Sequence, residues 1–91
     1  MLLRADMDAL PMEETNDLPF HSETNAAHNC GHDLHTAMLL GAAQILFEHR
    51  NDLHGNVKLM FQPAEELFIG SRKMIEAGIL SNPHVDVAMG M

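Results

Sequence analysis

The alternation of apolar and polar segments along the chain predicts the element order β-loop-α-β-loop-α-β. An apolar run at residues 2–5 predicts a first strand that leads into an acidic turn. Residues 11–29 show no sustained period and are predicted to form a loop, and long loops in compact domains usually carry function. A compact β-prone run at residues 57–61 ends at Pro63, and residues 85–91 predict a third strand. This order is typical of an α/β fold, a layered sheet with flanking helices in which at least part of the sheet is parallel.

The longer predicted helix runs from Leu34 to about Arg50. Its apolar residues nearly encircle it, which favours packing against a sheet with little of its first half exposed. One apolar stripe consists of Leu34, Met38, Ala42 and Ile45. Asp33 is expected to cap the first turn through its side chain.

A shorter helix is predicted from Ser71 to Ala77. Met74, Ile75 and Ala77 are expected to face inward. Gly78 follows directly, at the position where a left-handed backbone conformation commonly ends a helix.

The composition limits the classes of function. The 91 residues amount to at most one small domain. The net charge of −8 with neutral histidines predicts no nucleic-acid partner and no anionic membrane partner. No apolar run approaches the roughly 18 residues needed to span a bilayer. A single cysteine, Cys30, rules out an internal disulfide and favours a reducing compartment, which we expect to be the cytoplasm.

Both ends of the chain fall inside apolar runs. Residues 1–6 lack the basic start and long apolar middle of a signal peptide and resemble a strand without a lead-in. Residues 85–91 are likewise mostly apolar up to the last residue. We therefore expect residues 1–91 to be a partial domain of a larger protein.

The densest group of reactive side chains lies at residues 28–37. Cys30 and His32 flank Gly31, whose backbone freedom lets both side chains face one ion. Soft sulfur, imidazole nitrogen and nearby carboxylate oxygens together indicate a transition-metal site. Taken alone, such a Cys-x-His pair is more often a buried cysteine beside a surface histidine. Asp33 favours the metal site, because a carboxylate commonly orients a metal-bound imidazole.

Glu65 and Glu66 follow the second predicted strand and stand between apolar residues at 60–61 and 67–69. An isolated pair of glutamates is usually a solvated loop. In apolar surroundings the desolvation of two carboxylates is costly, and a cation would offset that cost. One carboxylate could then hold an ion while its neighbour moves protons.

Asp6 and Asp8 alternate at the exit of the first predicted strand. Alternate residues of an extended segment point the same way, so both are predicted to face the crevice where ligands of α/β proteins bind. A solvated turn explains the same pattern equally well.

Taken together, four segments resemble the M20 metallopeptidase family in its amidohydrolase branch. They are RADMDALP from Arg4, HNCGHDLHTAMLLGAA from His28, FQPAEE from Phe61 and HVDVAMGM from His84. This branch includes aminoacylase, hippurate hydrolase, N-acetyldiaminopimelate deacetylase and auxin-conjugate hydrolase. The segments cover nearly the whole chain but a minority of a full family member, so the lid or dimerisation domain and the C-terminal part are expected to be absent.

The resemblance implies a centre of two divalent transition-metal ions, zinc or manganese in the first place and cobalt or nickel as further possibilities. By motif position, Cys30, His32 and Glu66 would be metal ligands, Glu65 the general base and Asp8 a catalytic residue that orients the site. The implied reaction is hydrolysis of the amide bond of a small N-acyl amino acid or related conjugate. The implied assembly of the parent protein is a homodimer or another homo-oligomer.

The family's next ligand is a histidine just after the Gly-x of the third strand, where this chain ends at Gly90-Met91. We therefore expect little or no activity from the 91 residues alone. Two other interpretations stay open. One is a thiol hydrolase with Cys30 as nucleophile and His32 or His35 as base. The other is a structural module without catalytic activity.

Overall fold

The computed structural model describes all 91 residues and shows five elements in the predicted order. Strand β1 is Leu2–Asp6, helix α1 is His32–Glu48 and strand β2 is Lys58–Gln62. Helix α2 is Gly70–Glu76 and strand β3 is Ala88–Gly90. The predicted α/β class is confirmed, and apart from the shorter β3 the predicted bounds differ from the observed ones by one or two residues.

The three strands form one parallel sheet in the order β2-β1-β3. Strand β1 pairs with β2 in register, from Leu2 opposite Lys58 to Asp6 opposite Gln62. The carboxyl ends of parallel strands meet at the same edge of the sheet. The register therefore places the residues that follow Asp6 beside the residues that follow Gln62.

The core of this layer is thin. Only nine of the 91 residues are buried, and the apolar ones among them are Leu2, Ala5, Ala27, Leu39 and Met60. The radius of gyration is 15.3 Å, whereas a compact domain of this length has a radius of about 12 Å. The chain is an open layer with extents of 45 × 30 × 16 Å.

Helix α1 buries a different face from the predicted stripe. Leu34, Met38 and Ile45 are each more than half exposed, so the expectation of a covered first half is wrong. The buried residues of the helix are His32 and Leu39. They lie seven residues apart, which is two helical turns and hence one face. Because a histidine belongs to the buried face, a pattern built on apolar residues alone selects the wrong side.

The start of α1 also differs from the prediction. Gly31 occupies the N-cap position with a φ of 92°, and no side chain caps the helix. Asp33 lies one residue inside the helix and is exposed. The predicted cap by Asp33 is therefore wrong, and the left-handed glycine turns the chain into the helix instead.

Helix α2 ends at a left-handed glycine as predicted, but its predicted inward face is mostly exposed. Gly78 has a φ of 90° directly after the C-cap residue Ala77. Met74 is half-buried as expected, whereas Ile75 and Ala77 are exposed. The inward face predicted for this helix is therefore reduced to Met74.

The loop at residues 11–29 is present as predicted, and an antiparallel bridge between Leu10 and Ala27 holds its two ends together. The C-terminal end of this loop therefore lies beside the exit of β1, just before α1 begins. No helix of the protein has the length and apolarity that crossing a membrane requires.

Candidate metal centre

Three predicted ligands meet at the carboxyl edge of the sheet. Sγ of Cys30, a ring nitrogen of His32 and a carboxylate oxygen of Glu66 all lie within 4.8 Å of one another. A thiolate, an imidazole and a carboxylate at such separations can converge on one ion after small side-chain adjustments. The structure thus brings together the three residues, and their role as ligands stays a prediction.

The turn at Gly31 aims Cys30 and His32 at the same space. With its φ of 92°, Gly31 adopts a left-handed backbone conformation between them. His32 is buried at the first position of α1, and Cys30 is half-buried just before it. One donor is therefore fixed by the helix and the other by the turn.

Asp8 contacts all three donor residues. Its Oδ1 accepts a hydrogen bond from Nδ1 of His32 at 3.0 Å, and its Oδ2 accepts one from the backbone N–H of Glu66 at 3.1 Å. Its carbonyl oxygen accepts a long hydrogen bond from Sγ of Cys30 at 3.7 Å. Because an ionised carboxylate only accepts, the ring proton of His32 lies on Nδ1 and its Nε2 is left for another partner.

Nε2 of His32 faces the glutamate pair. It lies 3.7 Å from a carboxylate oxygen of Glu65 and 3.8 Å from one of Glu66. The two carboxylates, one predicted to transfer protons and the other to bind an ion, therefore lie close to the same histidine nitrogen.

The electrostatic environment of His32 favours positive charge. Burial alone would lower the pKa of His32, but the carboxylate of Asp6 and the hydrogen bond to Asp8 raise it above its ordinary value. Burial alone would raise the pKa of Asp8, but the N–H of Glu66 and the ring of His32 lower it. The anionic form of Asp8 is therefore favoured in the fold, and a metal ion would supply the positive charge that these carboxylates favour.

Asp6 is a buried residue of the same network, 4% exposed, so a solvated turn is the wrong interpretation for it. Its Oδ2 lies 2.8 Å from the Arg4 guanidinium, and its Oδ1 accepts a hydrogen bond from Nδ1 of His35 at 2.6 Å. Burial would raise the pKa of Asp6, but the hydrogen bond from His35 and the charge of Arg4 lower it. As predicted, Asp6 and Asp8 face the same crevice, since both lie against the ring of His32.

The sequence does not predict the pairing of Asp6 with His35. The prediction that Asp33 orients a histidine is wrong, because Asp33 is exposed and the rings of His32 and His35 pair with Asp8 and Asp6 instead. One residue along a helix turns the side chain by about 100°. The spacing of His32 and His35, one helical turn apart, was the available signal that both rings share a face.

Glu65 and Glu66 lie in a tight turn between β2 and α2. Ala64 and Phe68, which bracket them, have φ values of 52° and 56°, a region that side-chain-bearing residues seldom adopt. The N–H of Phe68 donates to the carbonyl oxygen of Glu65 at 2.8 Å, which closes the turn. Such strained conformations persist only where the surrounding structure enforces them.

Gly70 supplies part of that enforcement. Its N–H donates to the carbonyl oxygen of Ala64 at 3.1 Å. A Cβ atom at Gly70 would overlap the carbonyl group of Pro63, so only glycine fits here. The close approach of these two backbone segments keeps the glutamates at the edge of the sheet.

The sequence of this chain matches a known family. The family model for peptidase family M20/M25/M40 matches residues 2–91. The chain belongs to this family. The resemblance carried by the four sequence motifs is thereby confirmed, and with it the hydrolase class of the family.

Individual relatives agree with this assignment. An N-acetylcysteine deacetylase of Bacillus subtilis (strain 168) is 48% identical over 90 residues, covering 98% of this chain and 23% of the relative. An IAA-amino acid hydrolase of Arabidopsis thaliana is 54% identical over 81 residues, covering 88% of this chain and 19% of the relative.

A solved structure is also similar over the whole chain. It is a dinuclear metal-binding peptidase of the M20 family from Bacillus subtilis, with a TM-score of 0.89 and 47% identity. The match covers 100% of this chain and 25% of that one. The chain thus spans about a fifth to a quarter of the length of the proteins that it matches, and the carboxyl edge described above belongs to the shared part.

Proposed function

We propose that this chain contributes to the active centre of a metal-dependent amidohydrolase that cleaves the amide bond of N-acyl amino acids or related conjugates. The observation that carries the proposal is the meeting of Cys30, His32 and Glu66 within 4.8 Å, beside the second carboxylate of Glu65. The relatives' names support the substrate class, because N-acetylcysteine and IAA-amino acids both carry an acyl group in amide linkage to an amino acid.

The donor set fits divalent transition metals. A thiolate with an imidazole and a carboxylate suits zinc, manganese, cobalt or nickel better than magnesium or calcium. The dinuclear centre of the Bacillus subtilis structure supports two ions, and we propose zinc or manganese for them. When bound, such ions polarise a carbonyl group and lower the pKa of a bound water.

Within this proposal, the residues of the chain divide the work. Glu65 accepts a proton from the attacking water and delivers it to the leaving amine nitrogen. Its side chain is about one third exposed, with a carboxylate oxygen 3.7 Å from His32, so it can face both the centre and an incoming substrate. Cys30, His32 and Glu66 would bind the metal ions. Asp8 positions His32 and Glu66 through its two carboxylate oxygens.

A chimera tests this function. The chain replaces the matching segment of the Bacillus subtilis N-acetylcysteine deacetylase, and acetate release from N-acetylcysteine is measured with added zinc or manganese. We expect metal-dependent turnover that is lost on Glu65→Gln. Glu48→Gln, an exposed glutamate near the far end of α1, is the matched control and should retain activity. A chimera that folds and binds metal but releases no acetate would contradict the proposal.

A further inference from the structure

A second group of possible ligands lies beside the first. Donor atoms of Asp6, His32 and His35 lie within 4.8 Å of one another. His35 follows His32 by one turn of α1, and the two rings stack with their centroids 5.7 Å apart and their planes at 27°. Neither Asp6 nor His35 has a role in the function proposed above.

This group is poorly suited to hold an ion of its own. Both oxygens of Asp6 have close partners, since Arg4 lies 2.8 Å from Oδ2 and His35 lies 2.6 Å from Oδ1. The Arg4 guanidinium is fixed there by a further hydrogen bond to Oε1 of Gln62 at 2.8 Å. A second cation next to this guanidinium would be repelled.

The position of Asp6 nevertheless bears on His32. Its Oδ1 lies 3.6 Å from Nε2 of His32, beyond hydrogen-bond distance but slightly nearer than either glutamate. The backbone of Asp6 is held as well, because its carbonyl oxygen accepts a hydrogen bond from the Thr36 hydroxyl at 3.1 Å. A small rotation of the carboxylate would therefore suffice to reach Nε2.

The hydrogen bond from His35 opposes that rotation. A buried carboxylate oxygen without a partner is costly and binds the nearest donor available. If His35 lost its N–H, the ring of His32, with Nε2 3.6 Å away, would be a donor within reach of Oδ1. A contact between Nε2 and Asp6 would occupy the nitrogen that an ion needs.

We propose that His35 is a positioning residue, which holds Oδ1 of Asp6 and thereby leaves Nε2 of His32 free to bind the metal ion. The inference rests on the proposed metal centre. His35 itself need not touch the ion. The stacking of the two rings keeps the donor of His35 in place next to the group that it protects.

Cobalt titration of the chimera described above, in which the unaltered 91 residues are the original chain, tests this inference, with the near-ultraviolet thiolate-to-cobalt absorption as the signal. His35→Phe keeps a ring for stacking and removes the donor. We expect cobalt to bind about tenfold more weakly, the lower end of what the loss of a supporting residue costs in metal affinity. His35→Asn restores a donor near the position of Nδ1, and we expect an affinity close to that of the original chain.

A double variant separates positioning from a general structural effect. Asp6→Asn weakens the competing acceptor while leaving an oxygen for Arg4, so Asp6→Asn combined with His35→Phe should regain most of the lost affinity. Damage to the fold by His35→Phe would not be repaired in this way.

The outcomes distinguish this inference from the proposed function. If the original chain gives no cobalt absorption that disappears on Cys30→Ser, the metal centre itself is wrong and the inference falls with it. If that absorption is present and His35→Phe binds cobalt as tightly as the original chain, or the double variant shows no recovery, only the positioning by His35 is overturned. Loss of one of two bound ions in His35→Phe would identify His35 as a ligand and also overturn it.

Discussion

Nδ1 of His32 lies 3.0 Å from the carboxylate oxygen Oδ1 and 3.2 Å from the carbonyl oxygen of Asp8. Two acceptors from one residue fix both the tautomer and the plane of the ring. Asp8 also accepts a hydrogen bond from the N–H of Glu66, so a change at Asp8 should disturb two predicted metal ligands, His32 and Glu66, that are far apart in the sequence.

Asp8→Asn should therefore weaken zinc binding, by roughly 10- to 100-fold on the scale seen for residues that support metal ligands. The amide would turn an N–H group towards one of the two donors that the carboxylate now satisfies. Isothermal titration measures the effect. Asp52→Asn is the matched control, because Asp52 also lies near a histidine, His49, but both are exposed. Equal losses in the two variants would contradict a special role for Asp8.

The two neighbouring glutamates should give opposite phenotypes in the chimera. Glu65→Gln keeps the shape of the side chain but cannot accept a proton, so turnover should fall by about 10²–10⁴ with metal content nearly unchanged. Glu66→Gln should instead reduce bound metal. Steady-state kinetics and elemental analysis of the same samples separate the effects. If the phenotypes are exchanged, the two roles must be exchanged as well.

Metal should protect Cys30 from alkylation. A thiolate is both nucleophile and ligand, so bound zinc or manganese competes with iodoacetamide for the same sulfur. Mass spectrometry of the chain with and without metal gives the two rates. Equal rates would argue against ligation by Cys30. If the metal-free chimera is active and alkylation of Cys30 abolishes that activity, the thiol-hydrolase alternative is favoured.

Gly70→Ala should destabilise the chain, because the new methyl group would overlap the Pro63 carbonyl. Overpacking of this kind costs typically about 1–3 kcal/mol. Gly41→Ala is the matched control, since Gly41 lies within α1 with nothing near its Cβ position. That change should stabilise by roughly 0.5–1 kcal/mol. Urea unfolding of both variants measures the difference, and a neutral Gly70→Ala would show that the turn of the glutamates can move aside.

The loop at residues 11–29 should loosen in acid. The carboxylate of Glu14 accepts hydrogen bonds from the N–H of Ser22 at 2.7 Å and from the amide of Asn16 at 3.3 Å, and these lower the pKa of Glu14. A lowered pKa means that the stabilisation is complete above the ordinary glutamate pKa and is lost as the pH falls through the lowered one. The protection of the Ser22 amide, measured as its exchange rate relative to that of an unstructured peptide at the same pH, should therefore fall in acid. Glu14→Gln, which has no such titration, should remove the pH dependence of this protection.

The order of the elements could be predicted because local features mark each of them. Pro63 ends β2 and Gly78 follows α2, and both boundaries are visible in a few residues of sequence. The meeting of Cys30 with Glu66 was implied by the resemblance to the M20 family, and the shared edge of the strand exits in an α/β layer accounts for the place of Glu66.

The buried face of α1 and the partners of Asp6 could not be predicted in this way. The face is decided by the pairing of His32 and His35 with carboxylates of β1 and the turn after it, which lie more than 20 residues away in the sequence. Apolar Leu34 is exposed because the polar side of the helix faces the sheet edge. Patterns of hydrophobicity carry no information about such long-range polar pairs.

The parallel register of β1 and β2 also bears on the kinetics of assembly. The hydrogen bond between Asp8 and Glu66 joins positions 58 residues apart, and contacts of such separation close late and slow folding. The full donor set exists only once this crossover is closed. Zinc should therefore bind the assembled edge and slow its unfolding, while the rate of folding stays the same.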